Sequence, residues 1–402
     1  MEQSAPAVIL GGSLNALGVV RSLAPGKMPI HVLETTWNCP CAWSRLCHFG
    51  RVESLEGRPL VDGLLRLSAR LGQRAVLICT DDRAVETVST YRAELESLYR
   101  FSLPTAEMVR TLADKAEFHR YAERQGLPVP RSVIVTSAGE LSAVEALKMP
   151  VALKPIEKAR ALNGQVTGAA RAETPAQASA LADRMISSGG PVIVQEWIDG
   201  PDTDIYFTLF TCNSDGDVVG MFTGRKLVCD PPHMGCTALC VAAGEPTFEL
   251  EKWTRRLIQL TGYRGLGGLE FKRDRLTGRF LIVEPTVGRT DWQEEIATLC
   301  GVNLPHLTYL TELGIKPGRV PSPAEVTVPA AWRSARRHQA PQGLLPAGAK
   351  MGGGYFRVGD PMPALFYYGY QRLLARALNL LKRLRLRQGR SAVHPLVRET
   401  TA

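Results

Sequence analysis

Three short apolar runs in the first eighty residues constrain the fold more than any other feature. They are Ala7-Val8-Ile9-Leu10, Ile30-His31-Val32-Leu33 and Ala75-Val76-Leu77-Ile78-Cys79, each the length of a strand and bounded by turn residues. The first runs into Gly11-Gly12-Ser13, the second ends at Glu34, and the third ends at Thr80-Asp81-Asp82. Leu14, Leu17 and Val20 then recur at helical spacing. Strands alternating with helices predict a mostly parallel α/β sheet over 1–105, with ligands outside the strand C-termini.

From Thr105 the pattern changes. A helix holding Asp114-Lys115 is expected to end near Gly126. Strand Val151–Pro155, a helix near 175–187 and strand Val192–Glu196 follow. Later strands are expected near 205–211, 217–223, 267–273 and 279–284, several paired as hairpins, so this stretch reads as α+β and mostly antiparallel. The boundaries drawn from the pattern are 1–105, 106–190 for a small subdomain, 191–313 for a large one, a segment 314–364 packed on the body, and a tail 365–402. A length of 402 residues suits such a multi-domain chain.

The net charge of +9 is concentrated at one end. Residues 361–402 carry eight Lys and Arg against one acid, whereas the preceding 360 carry 40 against 38. A nearly neutral body argues against nucleic acid as a partner. From Leu365 to Arg390 there is no acid and no Pro, which predicts a long helix. Phe366, Tyr370, Leu373, Leu374, Ala377, Leu378, Leu381 and Leu384 fall on one face, with Arg372, Arg376, Arg383 and Arg387 beside it. Such a helix docks on the body, lies on an anionic membrane surface or meets a protein partner. Nine Cys at ordinary density, no signal-peptide pattern and no apolar run long enough to span a bilayer point to a cytoplasmic protein, with peripheral membrane contact through 365–390 as the open question.

Several patterns have to be weighed against plainer readings. Gly11-Gly12-Ser13-Leu14-Asn15-Ala16-Leu17-Gly18 is not the G-x-G-x-x-G of a dinucleotide site; it suits a structural turn or an anion at a helix N-terminus. Cys39, Cys41, Cys47 and His48, and likewise Cys229, His233, Cys236 and Cys240, lack the pair spacing of a zinc site. They read as small buried side chains.

A series of residues over 115–289 carries more. Lys115 on a helix and Lys154 at the end of an apolar strand are compact charges suited to triphosphate oxygens. The extended segment Gln195-Glu196-Trp197-Ile198 can offer backbone groups to a purine edge, and Asp202 can take ribose hydroxyls. Glu270 and Glu284 lie fourteen residues apart on strands that flank the Gly278 turn, where they can face one another as hard ligands for Mg²⁺.

In this order the residues resemble the ATP-grasp superfamily, and within it the carboxylate–amine ligase group that includes D-aspartate ligase. Ser44-Arg45, Thr80-Asp81-Asp82, Asp114-Lys115, Gly224-Arg225-Lys226 with Pro231-Pro232 and Gly235, Glu270-Phe271-Lys272, and Asp360-Pro361-Met362-Pro363 are similar to that group, over roughly 7–364. The resemblance implies a Rossmann-like pre-ATP-grasp domain followed by an α+β ATP-grasp fold. Lys115 and Lys154 would hold ATP phosphates, Glu196, Trp197 and Ile198 would line the adenine hinge, and Asp202 would sit at the ribose. Glu270 and Glu284 would bind Mg²⁺ or Mn²⁺. Arg225, Lys226 and Arg289 would stabilise the charge of the reacting acyl group.

Two departures stand out. Thr286 occupies the place of the family's usual Asn, so it would ligate metal only through its hydroxyl or give way to water. The interval Glu284-Pro285-Thr286-Val287-Gly288-Arg289 is also lengthened. The implied activity is ATP-dependent amide formation through an acyl phosphate, with Asp291-Trp292-Gln293-Glu294 as candidates for substrate recognition. The rival readings are a non-catalytic nucleotide-binding scaffold at the membrane surface and an NAD(P)-linked oxidoreductase.

Overall fold

A computed structural model describes residues 4–156, 169–233, 235–244, 247–334, 339–371 and 373. The N-terminal sheet has the order β3-β2-β1-β4-β5, with all neighbours parallel. Its strands are β1 (Ala7–Leu10), β2 (Ile30–Glu34), β3 (His48–Arg51), β4 (Ala75–Cys79) and β5 (Tyr99–Arg100). Val8 and Leu10 enter one hydrophobic core and Ala7 and Ile9 another. A strand buried on both faces reads as a continuous apolar run, which is why β1, β2 and β4 were visible in the sequence, whereas the half-exposed β3 and the two-residue β5 were not.

The glycine turn serves this sheet. Gly11 has φ +107°, and a Cβ there would lie 2.5 Å from Thr80 Oγ1. The Gly12 amide donates to Glu34 Oε2 at 2.9 Å. A carboxylate of the same chain therefore takes the amide that the glycine turn offers.

The second sheet has the antiparallel order β6-β9-β7-β8. Its strands are β6 (Ser132–Val135), β7 (Val151–Pro155), β8 (Ala170–Ala172) and β9 (Val192–Glu196), with the helix Pro175–Gly189 against their apolar face. Because β9 lies between β6 and β7, the small subdomain extends through Glu196 and does not stop at 190.

The third sheet has the order β14-β13-β10-β11-β12-β15-β16. It comprises β10 (Ile205–Cys212), β11 (Val218–Asp230), β12 (Cys236–Ala242), β13 (Gly265–Arg273), β14 (Phe280–Val287), β15 (Ala330–Arg333) and β16 (Lys350–Gly353). The segment 314–364 is thus more than a covering layer, because β15 pairs with β12 and extends the large sheet.

The family-like stretches meet across the chain. Asp360 accepts from the Ser44 hydroxyl at 2.8 Å and the Arg45 amide at 3.0 Å. Asp82 forms an ion pair with Arg289. At the tail, Phe366 is buried and stacks on Trp43, and Tyr367 stacks on Tyr355 with centroids 3.9 Å apart. The start of the tail therefore docks on the body, as a π-helical turn at Leu365–Gln371 in place of the expected α-helix. The rest of the expected helix, with its arginines, lies outside the described residues. No helix among the described residues is long and apolar enough to cross a membrane.

Candidate active site

A cleft of about 590 Å³ lies between the small and large sheets. Strand alternation aims the small-sheet side chains. Val151 and Leu153 enter the small core, so Ala152 and Lys154 face the cleft; Val192 and Val194 do the same, leaving Gln195 on the cleft side. Burial lowers the Lys154 pKa, with Glu284 and Glu270 opposing the shift. Lys115 opens the helix Lys115–Arg124, whose N-cap Asp114 accepts from the amides of Ala116 and Glu117, both at 2.8 Å. Its Nζ donates to the Pro155 carbonyl at 2.8 Å, beside Lys154.

Across the cleft, Glu270 and Glu284 are direct cross-strand partners on β13 and β14. Thr286 follows two residues after Glu284 and also lines the cleft. Two carboxylates and a hydroxyl are hard oxygen donors, a set that fits Mg²⁺ or Mn²⁺. Lys226 on β11 is buried and forms an ion pair with Glu270. Burial works to lower the Lys226 pKa, but the charge and hydrogen bond of Glu270, with Cys229 and Asp291, together outweigh it and the ammonium is held above its ordinary range. Arg289, Asp291, Trp292 and Gln293 line the far end.

The hinge residues Glu196, Trp197 and Ile198 all line the cleft. Trp197 donates its amide to the Pro150 carbonyl at 2.9 Å. Its ring lies under two cations, Arg171 at 4.5 Å and Lys272 at 4.8 Å.

Three expectations need correction. Asp202 does not line the cleft; its two oxygens accept the amides of Cys229 and His233 at 2.8 and 2.7 Å, which brace the β11–β12 turn. Arg225 cannot share a direction with Lys226, because successive strand residues point to opposite faces. It lies over the Tyr206 ring at 5.4 Å and donates to the Thr203 carbonyl at 2.5 Å, away from the cleft. Glu294 is buried against Gly18, and burial pushes its carboxyl up to about 8, so Asp291 is the acid of that segment in the cleft.

Two groups were missed. Lys272 is two residues beyond Glu270 on the same face of β13, a signal present in the sequence. His119 is four residues beyond Lys115 on one helix face, in a recess with Lys115, Lys154, Gln195 and Glu284. Burial pushes its imidazole down to about 4, and the Lys154 charge adds to the shift.

No family model matches the sequence. D-aspartate ligase of Enterococcus faecium (strain Aus0004) is 24% identical over 315 residues, 74% of each chain. Among solved structures, N5-carboxyaminoimidazole synthetase of Staphylococcus aureus superposes with a TM-score of 0.63 at 12% identity, covering 80% of each chain. The biotin carboxylase domain of Hydrogenobacter thermophilus 2-oxoglutarate carboxylase, determined with magnesium and ADP, gives a TM-score of 0.62 at 12% identity. That match covers 82% of this chain and 74% of the other. The parallel sheet followed by two sheets enclosing a cleft is the ATP-grasp fold of these proteins.

Proposed function

We propose that this chain, ATP-grasp in fold and similar to the carboxylate–amine ligases, joins a carboxylate to an amine at the expense of ATP and releases ADP and phosphate. The observation that carries the reading is the convergence of Lys154 from one sheet and Glu270, Glu284 and Lys226 from the other on one cleft.

Lys115 and Lys154 hold the phosphates, and the segment Glu196–Ile198 takes the adenine. Glu270, Glu284 and Thr286 would hold Mg²⁺ or Mn²⁺, which neutralises the phosphate oxygens when bound. A substrate carboxylate oxygen attacks the γ-phosphorus, the bond to the β–γ bridging oxygen breaks, and ADP leaves. The amine nitrogen then attacks the acyl carbon and loses a proton as phosphate departs. Lys226 and Arg289 stand where charge builds in both steps, fixed before the reaction begins. Asp291 is placed to hold a substrate ammonium. Neither step needs a covalent intermediate on the protein.

A matrix of carboxylates and amines, with hydroxylamine as a general acceptor, tests this reading through the nucleotide released. Carboxylate-dependent ADP and phosphate are expected. AMP and pyrophosphate would reject the assignment, as would nucleotide turnover indifferent to any carboxylate.

The reading places the protein in the cytoplasm, with its tail on an anionic membrane surface. Eight basic residues against one acid in 361–402 support this, as do the exposed Leu365, Tyr370 and Leu373 at the start of the tail. Full-length protein should sediment with anionic vesicles at low salt more than a chain ending at Pro363. Equal sedimentation of the two would remove the membrane from the reading.

A further inference from the structure

His119 is a buried polar group beside Lys115 and Lys154 that the mechanism leaves unused. It is 3% exposed and held from two sides by facing residues, since Ser132 on β6 and Gln195 on β9 are direct cross-strand partners. The Ser132 hydroxyl lies 3.0 Å from His119 Nδ1, and the Gln195 carboxamide nitrogen meets His119 Nε2.

A contact between two nitrogens is a hydrogen bond only if one carries the proton and the other a lone pair. A carboxamide nitrogen is a donor only, so the imidazole Nε2 must accept. In a neutral ring Nδ1 then carries the proton and gives it to the Ser132 oxygen. The chain of bonds runs from Gln195 through His119 to Ser132. It leaves the Gln195 oxygen without a partner among the described residues, on a side chain that lines the cleft. An acceptor beside the purine hinge suits the exocyclic amine of adenine and opposes the carbonyl at the same position of guanine.

We propose that His119 is a positioning residue that sets the nucleobase preference of the cleft, by holding the Gln195 carboxamide with its oxygen toward the base. This rests on the ATP-dependent reading of the site. The depressed imidazole pKa agrees with it, because a protonated ring would have no acceptor to offer and would turn the amide around.

The first measurement needs no nucleotide. Nitrogen NMR of the imidazoles in the full chain, with His119 assigned by its loss in His119→Phe, should report a neutral ring protonated at Nδ1. A ring protonated at Nε2 overturns the proposal. The second measurement is calorimetric binding of ATP and of GTP with Mg²⁺ and no carboxylate or amine present. The wild-type protein should favour ATP, and His119→Phe should shrink that preference by about 10-fold to 100-fold, the cost of one mispaired buried hydrogen bond. The double variant His119→Phe/Gln195→Glu should regain the preference, because a carboxylate presents an acceptor whichever way it turns. Ser132→Ala offers a milder form of the test, with the imidazole kept and its fixed proton acceptor removed. Equal binding of ATP and GTP by the wild type, or full preference in a folded His119→Phe, overturns the positioning role and leaves the ligase reading standing. Binding of neither triphosphate overturns both.

Discussion

Lys154→Ala and Glu284→Ala should each lower kcat by on the order of 10²-fold or more, the usual cost of losing one charge contact to a transition state. Thermal unfolding should scarcely move, for reasons of placement. Lys154 points away from the small core, which Val151 and Leu153 fill from the other face of β7. Glu284 is exposed in the cleft. Neither truncation opens a cavity, and what each removes is charge aimed at the phosphates. Glu270→Ala is a poorer probe, because it would also strand the buried Lys226 ammonium, and an uncompensated buried charge destabilises the fold. Thr286→Ala should be milder than Glu284→Ala. Steady-state ADP release measured beside a melting curve checks each variant, and near-normal turnover in either of the first two would strip that residue of its role.

What could be read in advance follows from local periodicity. Glu270 and Glu284 were recognisable as neighbours because they flank one hairpin around Gly278, but they stand directly opposed only because the register slips by one residue between Glu270 and Phe271. Lys154 was recognisable because a charge ending an apolar strand has nowhere to go but a cleft or solvent. Arg225 and Asp202 were misplaced for the converse reason. The irregular pairing of β11 with β12 around Lys226 and Val228 obscures which of two adjacent cations faces the cleft. An acid after a hinge looks the same whether it meets a ribose or two turn amides.

His119 was overlooked because one His on a helix with Phe118 and Ala122 reads as core. The helix Thr247–Thr261 was legible and passed over, with Leu250, Thr254, Leu257 and Ile258 at helical spacing. The glycine of Gly224-Arg225-Lys226 has a packing reason that no pattern announces, since a Cβ there would lie 2.2 Å from the Phe207 ring. Ser44 with Asp360, 316 residues apart, and Asp82 with Arg289, 207 apart, are joined by tertiary structure alone.

That first long-range junction sets the largest expected effect on stability. Asp360 is 1% exposed, and its carboxylate takes the Ser44 hydroxyl on one oxygen and the Arg45 amide on the other. Arg21, whose side chain is also buried, approaches the same carboxylate at 4.0 Å. Arg21 donates besides to the carbonyls of Gly354 and Tyr355, both at 2.8 Å, so one guanidinium and one carboxylate tie the N-terminal domain to the segment that follows β16. Asp360→Ala would leave a buried hydroxyl and a partly buried amide unpaired and weaken the compensation of a buried cation. Breaking a buried pair from one side costs about 3–5 kcal/mol. Asp360→Asn keeps an acceptor of the same shape and should lose roughly half as much, which separates the hydrogen bonds from the charge. No residue of the tie lines the cleft, so kcat of the folded fraction should hold while denaturant midpoints fall. A wild-type midpoint in Asp360→Ala would mean that the junction is held by its aromatic contacts, Trp43 with Phe366 and Tyr355 with Tyr367, and not by the carboxylate.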